Sequence, residues 1–250
     1  MKNTTKKLRL DRLLVERGLA LTVDKARALI LARSVKVEGE SVDRADAKVP
    51  IDADIAIKGT DTPYVSRGGL KLRGALDHFA LGVEGRVVID VGASTGGFTD
   101  CLLQAGAKKV YALDVGYGQL AWKIRQDPRV VVIERTNIRH YDGRDFDERP
   151  SLAVIDVSFI SLKTVLPAVA PLLAGGGLVL ALIKPQFEAR REEVGPDGVI
   201  SDESVQRRVM DEIRDVCPSV NLDAIGMCES PITGPAGNRE FFILAKAKDA

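Results

Sequence analysis

Histidine and cysteine are scarce in this chain of 250 residues: His78 and His140 are the two histidines, and Cys101, Cys217 and Cys228 the three cysteines. An odd cysteine count at wide spacing offers neither a disulfide framework nor a C-x-x-C metal half-site, and it suits a reducing cytoplasm. Two histidines leave little material for a His-rich zinc site or a Ser/His/Asp triad, so no metal is expected. The N-terminus has no apolar stretch that would act as an export signal. Long uncharged runs are equally rare. Thr164 to Ile183 is 20 residues without a charge, about the length that spans a bilayer. Pro167, Pro171 and Gly175-Gly176-Gly177 divide it into a short apolar helix, a turn and a strand over Leu178 to Ile183, which argues against a membrane span.

At 45% hydrophobic and 28% charged residues, the chain is long enough for one large domain and a small one. The formal net charge of +1 conceals an asymmetry, because Met1 to Lys36 holds 10 of the 36 Lys/Arg against 3 of the 35 Asp/Glu. A basic head on a mildly acidic body suggests a phosphate-bearing partner, with a solvated basic face as the plain alternative. Charge alone does not separate RNA from DNA.

Residues 1–60 read as a small helical and β module. Leu10, Leu13 and Leu14 share one helical face, and the chain breaks at Gly18. A second helix over Val23 to Ala32 puts Ala26, Leu29 and Ile30 at core spacing and leaves Lys25, Arg27 and Arg33 outward. Val35-Lys36-Val37, the turn Glu38-Gly39-Glu40 and the alternation Asp54 to Lys58 predict a small closing sheet, and Thr60 to Pro63 a hinge. Leu10-Asp11-x-Leu13-Leu14, Asp24-Lys25-Ala26-Arg27-x-x-Ile30 and Val35-Lys36-Val37-Glu38-Gly39 together resemble an S4 domain, an RNA-binding module. The resemblance implies that Arg9, Arg12, Lys25, Arg27 and Arg33 face RNA phosphates. Arg33-Ser34 stands where S4 domains usually carry a glycine.

From Val87 onward short β runs alternate with helical stretches, the pattern of a doubly wound parallel sheet. Strands are expected at Val87–Val91, Lys109–Asp114, Val130–Glu134, Leu152–Val157 and Leu178–Ile183. A helix over Asp202 to Val216 and strands near Leu222–Cys228 and Glu240–Ala245 follow, the last two forming an antiparallel hairpin. The expected fold class is α/β, a seven-stranded, mostly parallel Rossmann-like sheet whose ligands lie beyond the carboxyl ends of the strands.

Val88 to Phe98 is a strand entering a Gly-rich turn and then a helix. Its glycines fall as G-x-x-x-G-G, unlike the G-x-G-x-x-G of dinucleotide sites, and no G-x-x-x-x-G-K-[ST] is present. Asp114 ends the next strand 24 residues after Asp90. A carboxylate there can accept both hydrogen bonds of a ribose diol, or can serve only as a strand-end turn residue. Asp90 with its loop resembles the first motif of class I S-adenosylmethionine-dependent methyltransferases. That implies S-adenosyl-L-methionine as cofactor, held by Asp90, Gly92, Ala93, Ser94, Gly96, Gly97, Phe98 and Asp114, with Asn137 near the adenine.

Lys71, Asp156, Lys184 and Glu240 are polar residues at strand ends or where apolar ones are expected. Asp156 follows Ala153-Val154-Ile155 and Lys184 follows Leu180 to Ile183, so each places a charge at the end of a buried run. A purely structural Lys184–Asp156 ion pair is the alternative. Tyr64 to Leu72, Asp90 to Phe98, Asp156 to Leu162, Lys184 to Glu188 and Gly237 to Phe242, behind the S4-like head, resemble the TlyA, or hemolysin A, family of ribosomal RNA 2′-O-methyltransferases. Membership implies an FtsJ-like catalytic tetrad at Lys71, Asp156, Lys184 and Glu240 and a cytidine 2′-hydroxyl of 23S rRNA as acceptor, in some members also one in 16S rRNA. Lys184 is expected to accept the hydroxyl proton as a neutral amine, aided by the nearby charge of Lys71. Arg67 is a further candidate RNA contact.

The expected partition is an RNA-binding domain 1–60, a linker 61–69 and a methyltransferase domain 70–250, with Phe187 to Asp202 a mobile loop over the site. The expected partners are ribosomal RNA and ribosomal subunits in the cytoplasm, without a membrane. Two other functions compete: a membrane-damaging protein, which the missing export signal and missing span disfavour, and a noncatalytic ribosome-assembly module with a vestigial methyltransferase fold.

Overall fold

A computed structural model describes residues 7–17, 19–20, 22–57 and 62–248. The chain divides into two compact units, Met1–Pro63 and Tyr64–Ala250. Expected features at Gly18, Lys58 and Thr60-Asp61 lie outside the described residues.

The first unit runs β1 (Lys7–Arg9), α1 (Leu10–Glu16), α2 (Val23–Leu31), β2 (Val35–Val37), β3 (Glu40–Ser41), β4 (Lys48–Pro50) and β5 (Ile55–Ile57). Leu10, Leu13 and Leu14 of α1 meet Ala26 and Ile30 of α2 and Val35 of β2 in one apolar cluster, as their helical spacing predicts. Thr22 caps α2 by accepting the Lys25 N–H. Its strands form an antiparallel β3-β2-β5 sheet and an antiparallel β1-β4 pair. The β1-β4 pair has no counterpart in the expected pattern, because Lys7–Arg9 runs straight into the apolar stripe of α1 and Lys48–Pro50 offers a single apolar side chain before a proline. The turn where a glycine is usual is made by Arg33 itself at φ 53°.

The second unit runs α3 (Gly68–His78), β6 (Val87–Val91), α4 (Gly97–Gln104), β7 (Lys109–Leu113), α5 (Trp122–Arg125), β8 (Val130–Ile133), β9 (Leu152–Ile155), α6 (Leu162–Val169), β10 (Leu178–Ile183), α7 (Pro185–Glu188), α8 (Glu203–Val216), β11 (Leu222–Glu229) and β12 (Phe241–Ala247). The seven strands lie in the order β11-β12-β10-β9-β6-β7-β8. The five strands from β10 to β8 are parallel, and β12 is antiparallel to both β10 and β11. Every expected strand is present, with ends within two residues of expectation. Period-2 alternation divides the core between the two faces of the sheet. Val87, Ile89 and Val91 pack with Leu162 and Val165 of α6 and Val209 and Ile213 of α8. Val88 packs with Leu72, Ala75 and Leu76 of α3 and with Phe98 and Leu102 of α4.

Helix α3 starts at Gly68, inside the stretch expected to be linker, and residues 64–69 belong to the second unit. The segment Phe187 to Asp202, expected to be mobile, carries specific anchors. Glu193 accepts from the Arg190 N–H and from the Arg208 guanidinium. Asn238 accepts from the Ile200 N–H and donates to the Gly198 carbonyl, both at 2.9 Å. Among the described residues no helix is long and apolar enough to cross a membrane.

Candidate active site

The sheet's register assembles the site. β9 and β10 are parallel neighbours with Ile155 opposite Ala181, so Asp156 and Lys184, the residues that follow them, leave the same end of the sheet. β12 runs back against β10 with Ile183 opposite Phe241, which puts Glu240, the residue before Phe241, level with Lys184. Lys71 arrives from the first turns of α3, whose apolar face is held on the sheet.

All four side chains line one cavity of about 640 Å³, together with the Gly-rich turn after β6. They form two ion pairs. Lys71 Nζ lies 2.5 Å from Glu240 Oε2, and both side chains are buried. Lys184 Nζ lies 2.6 Å from Asp156 Oδ1 and donates to Ser158 Oγ at 2.9 Å. The Asp156 oxygen satisfies no aligned hydrogen bond, so this second contact is one of charge, with Ser158 as the directional partner. Each lysine faces a carboxylate of its own, and the Lys184–Asp156 pair offered as the structural alternative is present inside the cavity.

A second cavity, about 520 Å³, is lined by Asp114, Asn137 and Ile138 and shares Gly92, Ser94, Asp156, Ser158 and Phe159 with the first. Asp114 is fixed as an acceptor: Oδ2 receives the Ser94 N–H at 2.8 Å and Oδ1 the Gly116 N–H at 2.6 Å. Each oxygen keeps a lone pair for a ligand. Asn137 Oδ1 accepts the Arg139 N–H. The turn between the cavities depends on backbone approach. Gly92 has φ 88°, and a Cβ on it would lie 2.4 Å from the Asp156 carbonyl oxygen.

Of the expected cofactor residues, Gly92, Ala93, Ser94, Gly97, Phe98, Asp114 and Asn137 line one or both cavities, whereas Asp90 and Gly96 line neither. Asp90 is fully buried and accepts from Thr99 Oγ1 at 2.6 Å, tying β6 to α4 across the turn. Its other oxygen has no hydrogen-bond partner among the described residues. Burial, reinforced by the negative charge of Asp156, pushes its pKa up to about 7.

In the first unit, Asp11 is buried and holds two expected RNA contacts, Arg9 through Nη2 at 2.7 Å and Arg27 through Nε at 3.2 Å. The Arg9 hydrogen bond leads in depressing the Asp11 pKa to about 2. Arg33 pairs with Asp43 at 3.2 Å. Arg12 and Lys25 are exposed, and Arg67 is exposed where it lines the larger cavity.

Three residues of the site escaped the sequence reading. Ser158 holds Lys184. Phe159 is 90% exposed at φ 63° and lines both cavities, its ring 5.0 Å from that of Phe187. Gln186 Oε1 is buried without a hydrogen-bond partner among the described residues. An aromatic this exposed at a positive φ is visible only once the loop is folded.

Residues 64–247 match the profile of the FtsJ-like methyltransferases, and residues 8–55 that of the S4 domain. The chain is 44% identical to the 16S/23S rRNA (cytidine-2′-O)-methyltransferase TlyA of Mycobacterium tuberculosis, over 97% of this chain and 91% of that protein. It is 41% identical to Hemolysin A of Brachyspira hyodysenteriae, over 94% and 98% of the two chains. A solved structure from Streptococcus thermophilus, named as a candidate hemolysin, superposes with a TM-score of 0.77 at 44% identity, covering 99% of this chain and 90% of that one.

Proposed function

We propose, from the premise that this chain belongs to the FtsJ-like methyltransferase family and carries an S4 domain, that it transfers a methyl group from S-adenosylmethionine to the ribose 2′-oxygen of a cytidine in 23S rRNA. The observation that carries the reading is the convergence of Lys71, Asp156, Lys184 and Glu240 in one cavity beside the Gly-rich turn. Two lysines and two acids exceed what a structural ion pair requires.

The residues fit the cofactor. The smaller cavity offers Asp114 as a ribose acceptor and Ile138 and Asn137 as an adenine wall, while Gly92 keeps the passage to the larger cavity free of a side chain. When bound, S-adenosylmethionine supplies a methyl group activated by a sulfonium. Asp90 acts beneath the turn, holding it through Thr99.

A ribose hydroxyl is a poor nucleophile, so positioning it and removing its proton are the protein's two tasks. Lys184 and Asp156, 2.6 Å apart, do this as a unit. Passing one ammonium proton to Asp156 leaves Lys184 an amine, which takes the 2′-hydroxyl proton, so the pair gains one proton in all. Ser158 orients Lys184. The Lys71–Glu240 pair fixes the opposite wall and places positive charge where an oxyanion develops. Phe159 presents an open ring face on which an unstacked base can lie.

In this reading the S4 unit supplies the phosphate contacts. Arg12 and Lys25 bind directly, while Arg9 and Arg27 are presented in fixed orientation by Asp11. Arg67 adds a contact beside the cavity. Activity on ribosomal RNA places the protein in the cytoplasm with its substrate. The test is transfer of labelled methyl from S-adenosylmethionine to unmodified 50S and 30S subunits in parallel. Label on 50S supports the reading, label on both extends it to 16S rRNA, and no label on either with cofactor bound favours the noncatalytic alternative.

A further inference from the structure

Two short segments carry the Lys184 side of the larger cavity, and neither can hold its own shape. The loop after β9, Asp156 to Ser161, bears Asp156, Ser158 and Phe159 and passes through the positive φ of Phe159, a conformation that persists only where surrounding contacts fix it. Lys184 leads into α7, a helix of four residues, too short to be stable without tertiary support. The sheet holds one end of each segment. The Asp156 N–H donates to the Val91 carbonyl at 2.9 Å, and β10 runs directly into Lys184. The other ends are joined by Glu188, the last residue of α7. Its Oε1 accepts the Leu162 N–H at 2.7 Å and its Oε2 the Ser161 hydroxyl. Ser161 is the N-cap of α6, whose Leu162, Val165, Leu166 and Val169 are packed in the core. The carboxylate therefore ties α7 to a helix fixed on the sheet, at the helix end that favours negative charge. Glu188 itself lines neither cavity.

We infer that Glu188 is a positioning residue for the transfer step, clipping α7 to the loop after β9 so that Lys184 is held at Asp156 and Ser158. The inference rests on the ribose-methylation reading above. Among the described residues, the polar contacts that join the two segments short of Glu188 are Lys184 with Asp156 and Lys184 with Ser158. Those are the contacts that proton transfer alters, so the frame that keeps them in register has to come from a group outside the reaction. Glu188 is such a group. It takes donors from two consecutive residues, one on each oxygen, which fixes the carboxylate in orientation as well as in place. The rings of Phe187 and Phe159, with centroids 5.0 Å apart, add packing between the same segments, but apolar packing is not directional. Loss of the clip frees the far end of α7, and a misplacement of about 1 Å at a reacting group costs about 100-fold in rate.

The test measures single-turnover methyl transfer to unmodified 50S subunits by full-length proteins, with cofactor affinity by calorimetry. Glu188→Ala is expected to lower the transfer rate about 10- to 100-fold and to leave cofactor affinity unchanged. Glu188→Gln, whose amide can accept the Leu162 N–H and donate to the Ser161 oxygen, is expected to restore most of the rate. In Lys184→Ala/Glu188→Ala the loss should be no greater than in Lys184→Ala alone, because a residue that acts through Lys184 then has nothing left to position. A general structural defect would multiply the two losses. Ser161→Ala removes one of the two donors and is expected to give a smaller loss, also absorbed by Lys184→Ala, and it carries the test if Glu188→Ala does not fold. A wild-type rate in Glu188→Ala, multiplied losses in the double variants, or weakened cofactor binding in Glu188→Ala would each overturn the inference. Absence of transfer by wild type to any subunit would instead defeat the methyltransferase reading, and the inference with it.

Discussion

Lys71 Nζ and Glu240 Oε2 meet at 2.5 Å across 169 residues of sequence, in a contact almost closed to water. A buried ion pair contributes little net stability, but losing one partner strands the other charge at a cost of about 3–5 kcal/mol. Glu240→Gln should therefore lower unfolding stability by that order and abolish methyl transfer. The double variant Lys71→Met/Glu240→Gln should regain most of the stability and none of the activity. Urea unfolding and a transfer assay separate the two effects, and a double variant that methylates RNA normally would reduce the pair to a structural one.

Lys184 has a different expected signature. Among the described residues its ammonium has Asp156 and Ser158 as polar partners, and it lies outside the smaller cavity. Lys184→Ala should lower kcat by about 10²- to 10⁴-fold, the usual worth of a general base, with cofactor affinity unchanged. Single-turnover transfer and calorimetry on the same preparation check both halves of the prediction.

At Gly92 the prediction concerns space. A Cβ would stand 2.4 Å from the Asp156 carbonyl in a backbone conformation of φ 88°. Gly92→Ala should weaken cofactor binding about 10-fold or more, since strain of this kind costs about 1–3 kcal/mol. Cofactor affinity measured by calorimetry decides it, and an alanine variant that binds normally would remove the argument for close backbone approach.

These sites differ in how far the sequence exposes them. Asp156 and Lys184 are legible because each ends an uninterrupted apolar run, and a charge there needs a purpose. Glu240 and Lys71 have no such frame. Glu240 precedes its strand, and Lys71 lies in α3, whose opening Gly68-Gly69 reads as linker although Leu72, Ala75 and Leu76 form a buried stripe. Position marks them only as polar residues at a strand end or where an apolar one is expected, and the family resemblance is what implies their place in a catalytic tetrad. The seven strands of the large sheet were readable because buried parallel strands are apolar runs between turns. The Lys184–Asp156 pair is suggested by its strand ends as a structural alternative, whereas the pairing of Lys71 with Glu240, the Ser158 contact and the orphaned Gln186 oxygen are not readable, because they depend on register and loop geometry rather than residue type.

Asp90 ties the site to pH. Its folded-state pKa of about 7 stands above the unfolded carboxyl value of about 3.9, so the folded state holds a proton that the unfolded state gives up first. The favourable contribution is whole below about pH 4 and is lost as pH rises toward 7. Asp90→Asn keeps an acceptor for Thr99 and does not ionise. The melting temperature of the variant minus that of wild type should rise between pH 4 and pH 7 and level off above. A difference flat across that range would show that Asp90 is ionised in the folded protein.

The central claim is that the acceptor is a ribose oxygen, activated by Lys184. It is tested most directly by methylating unmodified 50S subunits with wild type and with Lys184→Ala, digesting the rRNA to nucleosides and identifying the labelled one by mass spectrometry. The account predicts 2′-O-methylcytidine from wild type and almost none from the variant. Label on a base carbon or nitrogen, or an undiminished yield from Lys184→Ala, would contradict it.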